Sequence, residues 1–593
     1  MIQTNTDFQS LPAGDSENHP TAPPSADAAS QSVAATANQT VAEAPVAGTP
    51  VEEAPVAGTP VEEAPVAEAP RRFLPRWHPD PVAWVVAFVG AALFISYSVI
   101  QWKAFSVPSW DLGIFTQLLR KYSELSVPIV EIKGPGFNLW GDHFHPLLMV
   151  LTPFYWLFPS GLTLLILQDL LFAWSAVPIT RYARKRIGPL WGTVAGFSYI
   201  LSWGLAEAVQ AQFHEIALAV PLIAFGLVHW LEGRRKLAWV EIGLLVFVKE
   251  DLGLTVAMFG LILIWLAWGE EAHRGVVAEM RRAQESGHQT HTLRPFPKRT
   301  RASLRRTISG GEATTGLSFF IWGMFWFVAA IMVILPHFNS NGGWDYTQNL
   351  SESGTATTSL IGFLENLLGP SQKIVTVLLL LVAMGVVGLR SPIFFLMLPT
   401  LAWRFAGNVT YYWGWQWHYS AVLMPIAILA LVDGVDRIRG HARVRPTYKR
   451  WLAGTAVVVS LFGSIGMAWN GPMGALLRGE KTVNTVSSQA AQGAIDAVGS
   501  GRSIRSNLQF LAYLIPDNTV YWTGSVGDAY FDTIVLSPGD LSETGYTDPI
   551  EWANTQYGNS WSLVYSVDGY SVLKLDGTFN SDDAIAPEVL GVP

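Results

Sequence analysis

The strongest constraint on this chain is a series of long apolar stretches, beginning with Val82–Trp102, separated by short polar and basic links. At 1.5 Å per residue, a helix over that first stretch covers a hydrocarbon core of about 30 Å. Further stretches follow at Gly161–Thr180, Leu190–Ala206, Ile216–Trp230, Leu237–Val248, Leu252–Trp268, Leu317–Leu335, Val375–Leu389, Pro392–Trp403, Ala421–Leu431 and Trp451–Met467. Read as helices they make about eleven crossings, several of them short. One soluble core has no room for so much apolar chain, so the sequence predicts an all-α polytopic membrane domain. Composition agrees, because only 14% of residues are charged, against about 25% in a soluble globular protein. A formal net charge of -8 gives no reason to expect nucleic-acid binding, and zero cysteines exclude disulfides, thiolate metal sites and a cysteine nucleophile.

Loop charge orients the stretches. Arg71, Arg72 and Arg76 precede the first and place the N-terminus in the cytoplasm. The basic links Arg181–Arg186, Arg234–Lys236, Arg274–Arg306 and Arg437–Arg450 then all fall on the cytoplasmic side if every stretch crosses. The loops Lys103–Ser160, Glu207–Glu215, Pro336–Gln372 and Arg404–Tyr419 lie outside, with everything after Trp469. The pair Leu237–Val248 and Leu252–Trp268 is critical, since a single kinked helix there would invert every label downstream.

Three domains follow. Residues 1–75 form a cytoplasmic tail in which a decapeptide recurs from Val41, Val51 and Val61, and this Ala/Pro/Glu sequence is expected to stay disordered. No basic start, apolar run and small-residue cleavage site follows Met1, so the tail is not expected to be a signal peptide. Residues 76–470 hold the polytopic domain. Residues 471–593 are expected to make a small extracytoplasmic α/β domain, with a helix at Ser488–Val498 and strands at Thr519–Thr523, Thr533–Leu536, Ser562–Val567 and Tyr570–Leu575. Asp568-Gly569 predicts a type I′ hairpin turn, whose two central residues both need positive φ.

Polar residues gather in the outer loops. Asp111 opens an amphipathic stretch with Leu112, Phe115, Leu118 and Leu119 on one side, suited to an interfacial helix with Asp111 as its N-cap, its functional carboxylate, or both. Asp142, His143 and His145 follow in GDHFHP, where an extended backbone puts both histidines on one side. Metal ligation and a hydrogen-bonding or acid/base role both stay open for them. Three more outer clusters are candidates: His214 and Glu215; Lys249, Glu250 and Asp251 between two short stretches; and Arg404 with the aromatic run holding Trp415 and His418. Ionised groups at the edge of apolar helices cost roughly 2.5–3.5 kcal/mol each on insertion, so they usually face a partner or a wet cavity. The plainer alternatives are a self-neutralising helix break for Lys249-Glu250-Asp251 and an ordinary interfacial belt for the aromatic run. Trp344-Asp345-Tyr346 is a weaker candidate of the same kind.

WDLGIF at Trp110–Phe115, GDHFHP at Gly141–Pro146, FHE at Phe213–Glu215 and VKEDLGL at Val248–Leu254 together resemble the motifs of a family of predicted polytopic membrane proteins, domain-of-unknown-function family 2079. The resemblance spans roughly Val82 to Leu575. That family is grouped with the GT-C superfamily of integral membrane glycosyltransferases, which implies a polyprenyl-phosphate-linked sugar donor and transfer on the extracytoplasmic side of the plasma membrane. It also makes Asp111 the leading general base or acceptor-orienting carboxylate, with Asp142 second. The expected partners are the lipid-linked sugar, an envelope glycan, lipid or protein acceptor, and the bilayer itself. No cofactor is assigned; a divalent cation stays possible, although Asp111 lacks the paired acid many members carry, which speaks against a metal-binding pair there. The tail and the high Trp, Gly and Ala content suit a high-GC actinobacterial envelope protein. The rivals from other classes are a lipid or solute transporter or flippase, and a non-catalytic envelope-assembly protein.

Overall fold

The computed structural model describes residues 79–107, 110–285, 311–343, 369–407, 409–440, 445–542, 544–558 and 560–576. The repeat tail, Arg71, Arg72 and Arg76, the Trp344-Asp345-Tyr346 cluster and the basic segment beyond Glu285 lie outside the described residues.

Helix α1, Pro81–Lys103, starts where Asp80 caps it by accepting from Val82 N, with Pro81 in the first turn. Five helices among the described residues are long and apolar enough to cross a membrane: Pro81–Lys103, Gly161–Ile187, Leu252–Glu271, Gly311–Phe338 and Pro446–Asn470. The other apolar stretches fold as shorter pieces. Leu190–Ala206, expected as one helix, breaks into Pro189–Ile200 and Trp203–Gln210, and Val375–Leu389 ends as a helix at Ala383. The second break has a clear cause: Gly385 and Val386 both take positive φ (57° and 60°), and a Cβ on Gly385 would strike the backbone of Ala456.

The critical pair is two antiparallel segments. The first comprises helix Arg235–Gly243 and the 3-10 turn Leu244–Phe247. Along it, Trp239 donates to Ser318, Trp322 donates to Gly243 O, and Phe247 packs on Trp326, so both sides advance together and it runs parallel to helix Gly311–Ala329. On helix Leu252–Glu285 the order reverses, with Gly253 against Gly323 and Gly260 against Gly316. The chain therefore turns back at Lys249-Glu250-Asp251. Each of these glycines faces a backbone a Cβ could not approach, which lets the two helices touch.

The basic links meet acids from other segments at one face. Arg184 reaches Asp80 at 2.7 Å and Arg181 reaches Glu232 at 2.7 Å, while Arg186 pairs with Asp436 and Arg235 with Glu312.

The C-terminal residues form a five-stranded sheet of order β2-β1-β3-β5-β4: β1 Ser503–Ser506, β2 Thr519–Trp522, β3 Thr533–Leu536, β4 Trp561–Val567 and β5 Tyr570–Leu575. β1 pairs in parallel with β2 and β3, and β5 runs antiparallel to β3 and β4. Asp568 and Gly569 take φ of 52° and 81°, as the hairpin turn requires. The expected helix starts three residues earlier, as Thr485–Val498, where Asn484 caps it. Strand β1 has no strand signature in the sequence, because SIRS is short and shows no apolar alternation.

The sheet sits on the first loop. Helix α2, Trp110–Ser123, sends Gln117 Nε2 to Val520 O at 3.2 Å and Arg120 Nη1 to Ile515 O at 2.7 Å, and Trp110 meets Trp522 edge to face at 4.7 Å. One buried core runs from Ala83 on α1 to Val572 on β5. Every residue from Leu112 to Leu119 is buried, so α2 is packed between the sheet and the loop rather than lying open in an interface.

Candidate functional site

The polar motifs converge although they lie far apart in the chain. Asp111 is inside the first turn of α2, which begins at Trp110, so it is not the N-cap. Its carboxylate is 45% exposed, and Oδ2 lies 3.2 Å from Nε2 of the buried His214. His214 Nδ1 lies 3.1 Å from Gln212 O, and Gln168 Oε1 accepts from His214 N, so both backbone and ring are held. With Nδ1–H given to that carbonyl, Nε2 faces the carboxylate, and a proton arriving on Asp111 has an acceptor within reach. His418 stacks on His214 with ring centroids 3.4 Å apart.

The reversal at Lys249-Glu250-Asp251 supplies the next layer. Lys249 Nζ lies 2.7 Å from Glu215 Oε1. Glu250 accepts from His143 Nδ1 at 2.8 Å and from Phe144 N at 3.0 Å, which ties GDHFHP to the turn. Asp142 pairs with Lys133 at 2.7 Å. Burial opposes charge on Lys249, but Glu215, Asp251 and Glu250 outweigh it and hold its pKa above the usual lysine range. Burial and Lys249 likewise oppose charge on His143, yet Glu250 and Asp142 raise its pKa. Burial pushes Asp251 up to about 6 against the pull of Lys249, and lowers His145 to about 4 against the pull of Glu215. Burial and the neighbouring His214 depress His418.

The two histidines of GDHFHP part company. His143 meets Glu250, whereas His145 is fully buried beside Phe115 and, among the described residues, neither ring nitrogen has a hydrogen-bond partner. The expectation of one shared partner fails: a 3-10 turn at Leu139–Gly141, capped at Asp142, leads into the motif, and the two rings meet different neighbours. Among the described residues no three His, Asp or Glu side chains group to hold a metal ion.

Arg404 lies beneath the site. It is fully buried and donates to Tyr412 O, Gly414 O and Ser420 Oγ, so it shapes the loop that presents His418. Trp415 is half-buried and packs against the core. Gln168, Lys133 and Ser420 belong to the assembly but carried no sequence signal, since a lone Gln in a helix or Lys in a loop looks like any other.

Fold and site together define an integral helical membrane protein whose ionisable groups meet beneath a small α/β layer. The chain belongs to the family described as "Predicted membrane protein (DUF2079)", which matches residues 103–509 and so takes in all four motifs. No curated protein matches the chain. Among solved structures, ArnT from Cupriavidus metallidurans bound to undecaprenyl phosphate matches at 12% identity and its apo form at 13%. Each alignment covers 83% of this chain and 98% of that chain, with a TM-score of 0.44.

Proposed function

We propose that the protein is a membrane glycosyltransferase of GT-C type, moving a sugar from a polyprenyl-phosphate donor to an envelope glycan, lipid or protein on the extracytoplasmic face. The chain would cross the plasma membrane about eleven times, with residues 1–75 in the cytoplasm and residues 471–593 outside. The observation that carries this proposal is the meeting of an accessible carboxylate, Asp111, with His214, His418 and the Lys249 turn.

In this reaction the acceptor hydroxyl attacks the anomeric carbon while the bond from that carbon to the phosphate oxygen breaks. Asp111 takes the hydroxyl proton, with His214 within 3.2 Å to share it. The departing polyprenyl phosphate gains one negative charge, which Lys249 and His143 offset. Glu215 and Glu250 hold Lys249 and His143 in place and favour their charged forms. His145 and Asp142 shape the loop above them, and Asp251 ends the reversal. Arg404 acts through the loop bearing Trp415 and His418.

Membranes containing the full chain are incubated with a panel of radiolabelled polyprenyl-phosphate sugars. Product that disappears in Asp111→Asn and persists in the exposed-surface variant Leu125→Ser supports the enzyme. Substrate movement across the bilayer without product replaces it with a carrier.

A further inference from the structure

A cleft of about 310 Å³ opens where the end of α1 meets helix Thr485–Val498. One wall is aromatic. Trp102 stacks on Tyr513 with centroids 3.8 Å apart, and Phe105 stacks on the same tyrosine at 4.6 Å. Tyr513 OH donates to Trp102 O at 2.8 Å and Gln509 Nε2 to Phe105 O at 2.9 Å, so this wall is held in shape without a ligand. The rest of the lining is mostly polar and, apart from Lys103, neutral. Gln489 and Gln492 are exposed, Gln492 is steadied by donating to Asp496, and the half-buried Ser488 Oγ has no hydrogen-bond partner among the described residues. Lys103 stands at the rim, and among the described residues no carboxylate lines the cleft.

An aromatic surface lining the same cleft as exposed amides matches the two characters of a sugar: its C–H face packs on aromatic carbon while its hydroxyls pair with the amides. We infer that this cleft binds a neutral carbohydrate segment of the acceptor away from the bond being made, an assignment that rests on the glycosyl transfer proposed above. Asp111 is six residue steps beyond Phe105, a reach of at most about 22 Å of extended chain. An acceptor of several sugar units spans that interval, so the cleft selects polymeric over monomeric acceptors.

Binding of neutral oligosaccharides (hexamers of mannan, galactan, arabinan and maltose) to the detergent-purified full chain is measured by saturation-transfer NMR and equilibrium dialysis. The expected result is that at least one hexamer binds and its monosaccharide does not. Affinity falls about tenfold or more in Gln489→Ala/Gln492→Ala, which lie on an exposed helix face, and is unchanged in Asp111→Asn. Loss of transfer in Asp111→Asn with retained hexamer binding separates the two sites, and absence of transfer in the wild type with hexamer binding intact sinks the reaction but not the cleft. If no hexamer binds, or binding ignores the double substitution, the carbohydrate assignment is overturned. Binding of phosphatidylglycerol vesicles or inorganic phosphate that is lost in Lys103→Ala, with no hexamer bound, replaces it with a lipid-headgroup site.

Discussion

Asp111 Oδ2 stands 3.2 Å from His214 Nε2, and this contact joins the start of the first long loop to a segment beyond helix Gly161–Ile187. A general base contributes about 10²–10⁴-fold to a rate. Asp111→Asn keeps the shape of the side chain and removes the proton acceptor, so transfer falls by about that factor while donor binding stays within about twofold. His214→Ala gives a smaller loss, about tenfold, because the carboxylate remains. Steady-state rates and donor dissociation constants on the purified chain check both, and equal losses of rate and binding in Asp111→Asn would remove its role as base.

The Lys249–Glu215 pair makes a stability prediction. Both groups are largely buried, so deleting one strands the other's charge at a cost of about 3–5 kcal/mol. Lys249→Met alone is therefore more destabilising than Lys249→Met/Glu215→Gln, where no charge is left behind. Thermal unfolding of the three proteins in detergent compares them, and a double variant that melts below the single variant contradicts the pairing.

Much of this architecture is written in the sequence, and the exceptions have physical causes. Asp111, His214, Lys249 and His418 stood out because charge and imidazole beside apolar helices need a reason to be there, and the fold brings them together. What they bond to was hidden, because partners such as Gln168 and Lys133 are ordinary residues until the backbone places them. The reversal at Lys249-Glu250-Asp251 was the reading most exposed to error from hydropathy alone. Helix direction became visible only through the order of the Trp239, Gly243 and Phe247 contacts along helix Gly311–Ala329. Helix breaks at Leu201 and Gly385 escaped because tertiary packing buries these short pieces, so they need not span the membrane alone.

Two buried groups oppose one another with pH. Burial raises Asp251 to about 6, from an unfolded value of about 3.9. Between those values the folded state keeps a proton the unfolded chain has lost, so this contribution to stability falls as pH rises. Burial lowers His145 to about 4, from about 6.5 unfolded. In that window the unfolded chain binds the extra proton, so stability rises with pH. Relative to wild type, Asp251→Asn makes the slope of melting temperature against pH more positive between about 4 and 6, and His145→Asn makes it more negative. Slopes moving the other way would mean that neither group is buried as found.

Gly141 in GDHFHP is a packing requirement. A Cβ there would lie 2.6 Å from Asn339 N, and Asn339 Nδ2 already donates to Gly141 O at 3.1 Å. Gly141→Ala forces the two segments apart, costs about 1–3 kcal/mol, and shifts Asp142 and His143. Melting temperature and transfer rate both fall, and an alanine variant with unchanged melting would mean that the segments separate freely.

Topology offers the broadest check, since the chain has no cysteine and any single cysteine is a clean reporter. The sheet packs directly on α2, so the first loop and the C-terminal residues share one side of the membrane. Arg181, Arg184, Arg186 and Arg235 meet their acids at the ends of other segments, which gathers the basic links on one face. Leu125 and Val486 are strongly exposed, and the Lys185 side chain is 62% exposed. In intact cells a membrane-impermeant maleimide labels Leu125→Cys and Val486→Cys, and labels Lys185→Cys only after permeabilisation. Opposite labelling of Leu125→Cys and Val486→Cys would contradict the docking of the sheet on α2. Labelling of Lys185→Cys alone in intact cells would invert the molecule and place Asp111 in the cytoplasm, away from an extracytoplasmic acceptor.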